Sequence, residues 1–340
     1  MIVLGLACDI WIASATLIRN GEVVAAAPEE RFNRQKMSKV FPSRAIEYCL
    51  NEAGIGIDDV DCIAFGWNPA HHLKTVSGRY THSPRWRGEY LYMVPGALMT
   101  QFGAESVSEI HQTFSTESWS ANTVFVDHHM CHAASTYFLS GFEEAAVLTL
   151  DGRGEEDTCT RNVAHGRSIE RLGGVRMPHS LGLFYSAITE FLGFKPHTDE
   201  WKVMALGSDG KTADNPWTEK IQSLISLQDD GGFEQDLSYF SYYSFDQQPH
   251  MYSDKLIDLL GEPRDPNGDY TERDIDIAAA LQIVFENCVT HVLSKLHEQT
   301  GMTKLALAGG AAMNSVYNGK IAEITPFDEV FIPSCPDDSG

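Results

Sequence analysis

What the sequence lacks narrows its class before any motif is read. Seven cysteines lie at positions 8, 49, 62, 131, 159, 288 and 335, and no two have CxxC spacing. An odd, scattered set fits neither a disulfide framework nor a zinc ribbon, and it suits a reducing cytoplasm. No run of about 18 consecutive apolar residues occurs, so no membrane span is expected. Met1–Leu6 leads into a strand pattern, without the basic segment and apolar core of a secretory leader. Positive charge is scarce: 25 Lys and Arg stand against 47 Asp and Glu, a formal net charge of −22. Such a surface repels phosphate backbones, which disfavours nucleic-acid binding through a broad basic face.

What is present is an ordinary core-forming composition, 43% hydrophobic and 21% charged, over 340 residues. That length suits two lobes of roughly 150 residues each. Ile2–Cys8 reads as a buried strand, and Ser14–Arg19 and Val23–Ala27 flank Asn20-Gly21, a strong hairpin signal. Ser43 is expected to cap a helix over Arg44–Ala53 that ends at Gly54, and Cys62–Phe65 is a further strand. The pattern recurs in Ala146–Leu150, Thr158–Ala164 and Arg167–Leu172, with His165-Gly166 between the last two. A helix follows in "SLGLFYSAITEFLGF", a long amphipathic one over Asp274–Gly301, a strand at Lys304–Ala308, a helix over Ala312–Glu323 and a strand at Glu329–Ile332. Two strand-strand-strand units, each followed by helix and strand, predict a duplicated α/β lobe. The expected division is 1–144, with an insertion at about 70–120, and 145–340, with an insertion at about 208–268. The stretch "PDDSG" ends where a loop normally feeds a helix, so the second lobe is expected to be truncated and the chain to be part of a longer protein.

The chemistry-bearing residues begin with "VDHHMCHAAS". On a helix, His128 and His132 share one face and can converge on one ion. His129 points about 100° away. A histidine-rich helix start bonded to backbone is the plain alternative. Two histidines need carboxylates to close a site, and a mixed set suits Fe, Mn or Zn. Asp151 ends a buried strand, where carboxylates of open α/β sheets point into a ligand crevice. It is also open to reading as a turn aspartate bonding its own backbone. Asp338, with Asp337 as a rival, follows the last strand. Gly152 and Gly154 leave backbone N–H groups open to an anion. Gly309-Gly310 lets a flat ring or a phosphate approach backbone, and Asn314 is placed to bond a ribose or base edge. Lys202, among apolar residues, either snorkels or meets an anion.

Together these stretches resemble the O-carbamoyltransferase family of the nodulation and antibiotic (NodU/CmcH) type. "AAAPEERFNRQKMSKVFP", "DHHMCHAAS", "SLGLFYSAITEFLGFKPHTDEWKVMALG", "LAGGAAMNSVYNGKI" and "PSCPDDSG" carry the resemblance, in order, across nearly the whole chain. It implies duplicated ribonuclease-H-like lobes of the actin-like ATPase superfamily. It implies a divalent metal, Fe(II) before Zn or Mn, held by His128, His132, Asp151 and Asp338. The reaction implied is metal-assisted transfer of a carbamoyl group from carbamoyladenylate to a small-molecule hydroxyl. A YrdC-like domain of the same longer chain would make the carbamoyladenylate from ATP and carbamoyl phosphate. Lys202 and Lys36 become candidates near the phosphate, and a homodimer is within expectation. One stretch departs: "ACDIWIASA" has Trp11 and Ile12 where the family places polar residues that include a candidate base, leaving Asp9 as a substitute. A catalytically altered nucleotide- and metal-binding module, or another actin-like ATPase or kinase, is the alternative reading.

Overall fold

A computed structural model describes residues 1–8, 12–68, 122–244 and 249–339. The expected insertion at about 70–120 lies outside the described residues, as do Asp9 and Trp11.

The first sheet is built from β1 (Ile2–Cys8), β2 (Ala13–Arg19), β3 (Glu22–Pro28), β4 (Cys62–Phe65) and β5 (Asn122–Phe125). Its order is β3-β2-β1-β4-β5, antiparallel across the first three and parallel across β1, β4 and β5. The β2–β3 turn is the predicted one: Asn20 and Gly21 both have positive φ, 56° and 92°. A two-residue turn with both centres left-handed matches the twist of the strands it joins. Two helices follow, α1 (Glu30–Asn33) and α2 (Ser43–Ala53).

Ser43 is not the cap of α2, contrary to expectation; it is the first helical residue, and the cap position is Pro42. Its orphan N–H groups find a distant partner instead. The buried Glu29 carboxylate accepts the Ala45 N–H at 2.9 Å. Its neighbour Glu30 accepts the Met37 N–H at 2.8 Å, so both glutamates of "EERF" organise backbone. Leu4, Leu6, Leu17, Ile63 and Phe65 of the sheet pack with Ala45 and Cys49 of α2.

The helix α3 spans His128–Ser140 and holds the division between two compact units. One comprises Met1–Ser135 with Ser334–Gly340, the other Thr136–Pro333.

The second sheet repeats the first. Its strands are β6 (Glu144–Leu150), β7 (Asp157–His165), β8 (Ser168–Arg176), β11 (Lys304–Ala308) and β12 (Glu329–Phe331). Its order, β8-β7-β6-β11-β12, again has three antiparallel strands followed by parallel neighbours. The repeated 3-2-1-4-5 order makes this a duplicated ribonuclease-H-like chain. Among the described residues each of these two sheets has five strands.

Helices α4 (Leu181–Phe191) and α5 (Glu200–Gly207) follow β8. The 208–268 stretch holds α6 (Thr218–Gln222), a hairpin of β9 (Ile225–Leu227) and β10 (Phe233–Gln235), and α7 (Asp254–Leu260). Polar by composition, it still sends Phe233, Phe240, Tyr252 and Leu256 into the second core.

The helix α8, Glu272–Thr300, is the centre of that core. A reciprocal Thr271–Asp274 capping box starts it and left-handed Gly301 ends it. Its length and composition would suffice to cross a bilayer, but 67% of its most apolar window is buried against the second core.

The predicted helix over Ala312–Glu323 is broken into a turn and two short helices, Ser315–Asn318 and Ile321–Ile324. Asn314 leaves helical geometry and caps the first of them, its side chain accepting the Tyr317 N–H.

Candidate metal centre

Asp127 starts α3: its carbonyl accepts the N–H groups of Met130 and Cys131. From there the helix repeat stacks His128 over His132, with ring centroids 4.5 Å apart. Their Nε2 atoms approach to 3.1 Å. The Asp338 Oδ1 lies 3.3 Å from each. All three side chains are over 90% buried. The Asp338 backbone is tied to the first sheet, where the buried Ser14 hydroxyl on β2 donates to its carbonyl at 3.3 Å. Asp337 is occupied with Ser339, and burial pushes its carboxyl above the ordinary range.

These three donors fit a divalent ion. Bonds of about 2.0–2.2 Å separate neighbouring donors by about 3.0 Å at right angles and about 3.4 Å at tetrahedral angles. The observed separations of 3.1, 3.3 and 3.3 Å fall in that interval. The protonation of His128 also fits. Its Nδ1 lies 3.2 Å from the Gly66 carbonyl, which can only accept. That contact suits the tautomer with its proton on Nδ1, the form in which Nε2 can serve as a metal ligand.

Three consecutive residues hold this helix start, and sequence reasoning passed over them. Gly66 accepts from His128, Trp67 packs on the His128 ring at 5.4 Å, and Asn68 donates to the Asp127 carboxylate at 2.7 Å. Nothing local in "GWN" announces this, because each contact spans about sixty residues. His129 is buried edge-on to both neighbouring rings, at 5.9 and 6.1 Å.

In the other unit, Asp151 directly follows β6 and is buried. It is not a self-bonded turn residue: its Oδ1 accepts the Gly310 N–H at 2.8 Å, across the sheet. The double glycine makes that approach physically available. A Cβ on Gly310 would sit 2.7 Å from the Asp151 Oδ1, and one on Gly309 would sit 2.7 Å from the Leu150 carbonyl carbon. On the opposite side the α4 N-terminus grips the same loop. The buried Ser180 hydroxyl donates to the Gly152 carbonyl at 2.6 Å while accepting the Leu183 N–H. A Cβ on Gly182 would meet the Gly152 backbone at 2.8 Å. The Gly154 N–H donates to the Asp157 carbonyl.

The remaining candidates have definite places. The Asn314 side chain makes a two-way amide pair with buried Gln282 of α8, beside the cap bond to Tyr317. Lys202 is half-exposed: its ammonium pairs with Asp199 one turn back at 2.9 Å and lies over the Trp201 ring, 5.6 Å from its centroid. Lys36 is exposed in the loop between α1 and α2. Ile12, from the departing first loop, is buried.

Comparison with known proteins completes the description. The family model described as carbamoyltransferase N-terminus matches residues 3–340. The Synechocystis protein sll1178 is 34% identical over 99% of this chain and 55% of its own length. The nodulation protein NolNO of Sinorhizobium fredii is 32% identical over 96% of this chain and 44% of its own length. The chain thus spans about half the length of these curated relatives. Among solved structures, HypF of T. kodakarensis aligns with 98% of this chain and 46% of its own, at 13% identity and a TM-score of 0.49.

Proposed function

We propose, from the premise that this chain belongs to the carbamoyltransferase N-terminus family, that it transfers a carbamoyl group from carbamoyladenylate to a hydroxyl of a small acceptor. The observation that carries the reading is the convergence of the His128 and His132 Nε2 atoms with the Asp338 carboxylate. In this reading those residues, joined by Asp151, hold a divalent ion. A mixed imidazole and carboxylate set suits Fe(II), with Zn and Mn as the other fits. The chemistry such an ion supplies when bound is Lewis acidity toward a carbamoyl or phosphoryl oxygen.

The protein's own residues do the rest. The Gly66 carbonyl orients the His128 ring through Nδ1, so that its Nε2 is the atom turned to the ion in this reading. Asp338 supplies the negative charge that such a cation needs. In this reading the turns at Gly152, Gly154, Gly309 and Gly310 lie against the adenylate, with the Gly154 and Gly310 N–H groups staying bonded to Asp157 and Asp151, and Asn314 is held rigid by Gln282 to meet the nucleoside. Lys36 and Lys202 are the cationic candidates for the phosphate, and Asp9 is the candidate base for the acceptor hydroxyl. A YrdC-like domain elsewhere in a longer chain, acting in the cytoplasm, would supply the carbamoyladenylate.

Metal analysis and a transfer assay with supplied carbamoyladenylate test the proposal together. Wild type is expected to hold about one equivalent of metal per chain and to carbamoylate an alcohol acceptor. The doubly substituted His128→Ala, His132→Ala chain is expected to lose both. Metal retained by that variant refutes the ligand assignment. Adenylate binding with no turnover favours a binding module instead, a second reading that the sequence "CDIWIAS" motivates.

A further inference from the structure

Trp67 is 4% exposed, and its ring packs against His128, with centroids 5.4 Å apart and planes at 50°. Its indole Nε1–H is buried and meets no hydrogen-bond acceptor among the described residues. Both neighbours in the chain are engaged: the Gly66 carbonyl accepts from His128, and the Asn68 amide donates to Asp127. Among the described residues the indole N–H of this three-residue cradle has no acceptor.

That is an unusual state for a tryptophan. A buried indole N–H ordinarily finds a partner, because burying it unpaired costs free energy that a phenylalanine in the same space would not incur. The group is a donor only, neutral at every accessible pH, so whatever satisfies it must be an acceptor. Its ring lies beside one of the two imidazoles whose Nε2 atoms converge with Asp338. A low-dielectric, preorganised donor beside such a centre is the arrangement that stabilises charge developing on an oxygen.

We propose that the Trp67 indole N–H donates a hydrogen bond to an oxygen of the carbamoyl or phosphoryl group bound at the His128–His132–Asp338 centre. The inference rests on the functional reading above and extends it to a residue that chooses what the centre holds. Trp67 binds the ligand and does not hold the metal.

The indole proton can be observed directly. The zinc-loaded chain is diamagnetic, and its tryptophan indole N–H resonances can be recorded with 15N-labelled tryptophan. The Trp67 signal is the one missing from the Trp67→Phe variant, which keeps an aromatic ring and removes only the donor and part of the ring system. Inorganic phosphate, AMP and carbamoyl phosphate are then titrated in turn, with binding followed independently by calorimetry. The expected result is a downfield shift of the Trp67 signal. A shift with phosphate and AMP identifies a phosphoryl oxygen, and a shift with carbamoyl phosphate alone identifies the carbamoyl oxygen. Trp67→Phe is expected to keep its zinc and to bind the same probe about threefold to tenfold more weakly, the effect of one neutral hydrogen bond. A probe that binds without moving the signal overturns the proposal and leaves the functional reading standing. So does a Trp67→Phe chain that binds as wild type, or one that loses its zinc. Failure of all three probes to bind counts against both.

Discussion

Gly309→Ala is the sharpest test of how the second sheet meets its glycine turn. Gly309 has φ 104° and ψ 161°, a region open essentially to glycine alone. Forcing alanine into it costs about 1–3 kcal/mol. The new methyl would also press into the end of β6: the Leu150 carbonyl carbon lies 2.7 Å from the Cβ position, with the Leu150 nitrogen at 3.0 Å. Those are backbone atoms that cannot swing aside, so a further 1–3 kcal/mol or so follows from overpacking. The sum is about 4 kcal/mol. For a unit of this size each kcal/mol lowers the melting temperature by about 2–4 °C, so a fall of roughly 8–16 °C is expected. Gly301→Ala is the internal control. Gly301 is also left-handed, at φ 64°, but nothing lies within 4 Å of its Cβ position. Only the conformational cost of about 1–2 kcal/mol should appear there. Differential scanning calorimetry of both variants decides the matter. If Gly309→Ala loses no more stability than Gly301→Ala, close backbone approach is not why glycine occupies position 309.

Two further outcomes follow from buried titratable groups. The His179 Nδ1 accepts the Gln235 N–H at 3.0 Å, and burial lowers its pKa below the ordinary 6.5. The unfolded chain therefore binds its proton first. The His179 contribution should be intact above pH 6.5 and fade as pH falls through and below that value. Urea midpoints at pH 7.5 and 5.5 should differ more for wild type than for His179→Asn, which can accept the same bond without titrating; equal differences would refute it. Burial also pushes the Cys49 thiol up to about 11 and those of Cys159 and Cys288 to about 12. Iodoacetamide at pH 8 should label exposed Cys335 in the folded chain and reach these three only after denaturation, as peptide mapping would show.

Much of the fold was legible because its signals are local. Asn20-Gly21 encodes its own turn, and the periodicity of the long helix was read from Asp274, although the Thr271–Asp274 box that starts it at Glu272 was not. The repeat of three strands was readable as pattern, and the sheet order confirms the duplication. What failed was nonlocal. Ser43 looked like a cap because serine often is one, whereas the helix takes a carboxylate from Glu29, far back in the chain. The helix over Ala312–Glu323 looked continuous by periodicity, but Asn314 is drawn out of it by Gln282. At the site, the HxxxH spacing is a helix-face argument and was available from sequence. Gly66, Trp67 and Asn68 were not, since their importance exists only once β4 delivers them to the start of α3. The glycine pair was readable as a tight turn, and the reach of the Gly310 N–H to Asp151 was not.

The grouping of Ser334–Gly340 with the first unit has a consequence for the order in which this protein is made. A ribosome emits the two histidines early and the aspartate that meets them about 200 residues later. At a synthesis rate of about 5–20 residues per second, the interval is roughly 10–40 s. Through that time the first sheet can assemble and α3 can form, yet the two imidazoles still lack Asp338. The second unit must be threaded out in full before the missing group arrives. On the proposed ligand set, the site is therefore completed late in the life of the nascent chain, and an N-terminal fragment with a complete first sheet would still lack Asp338.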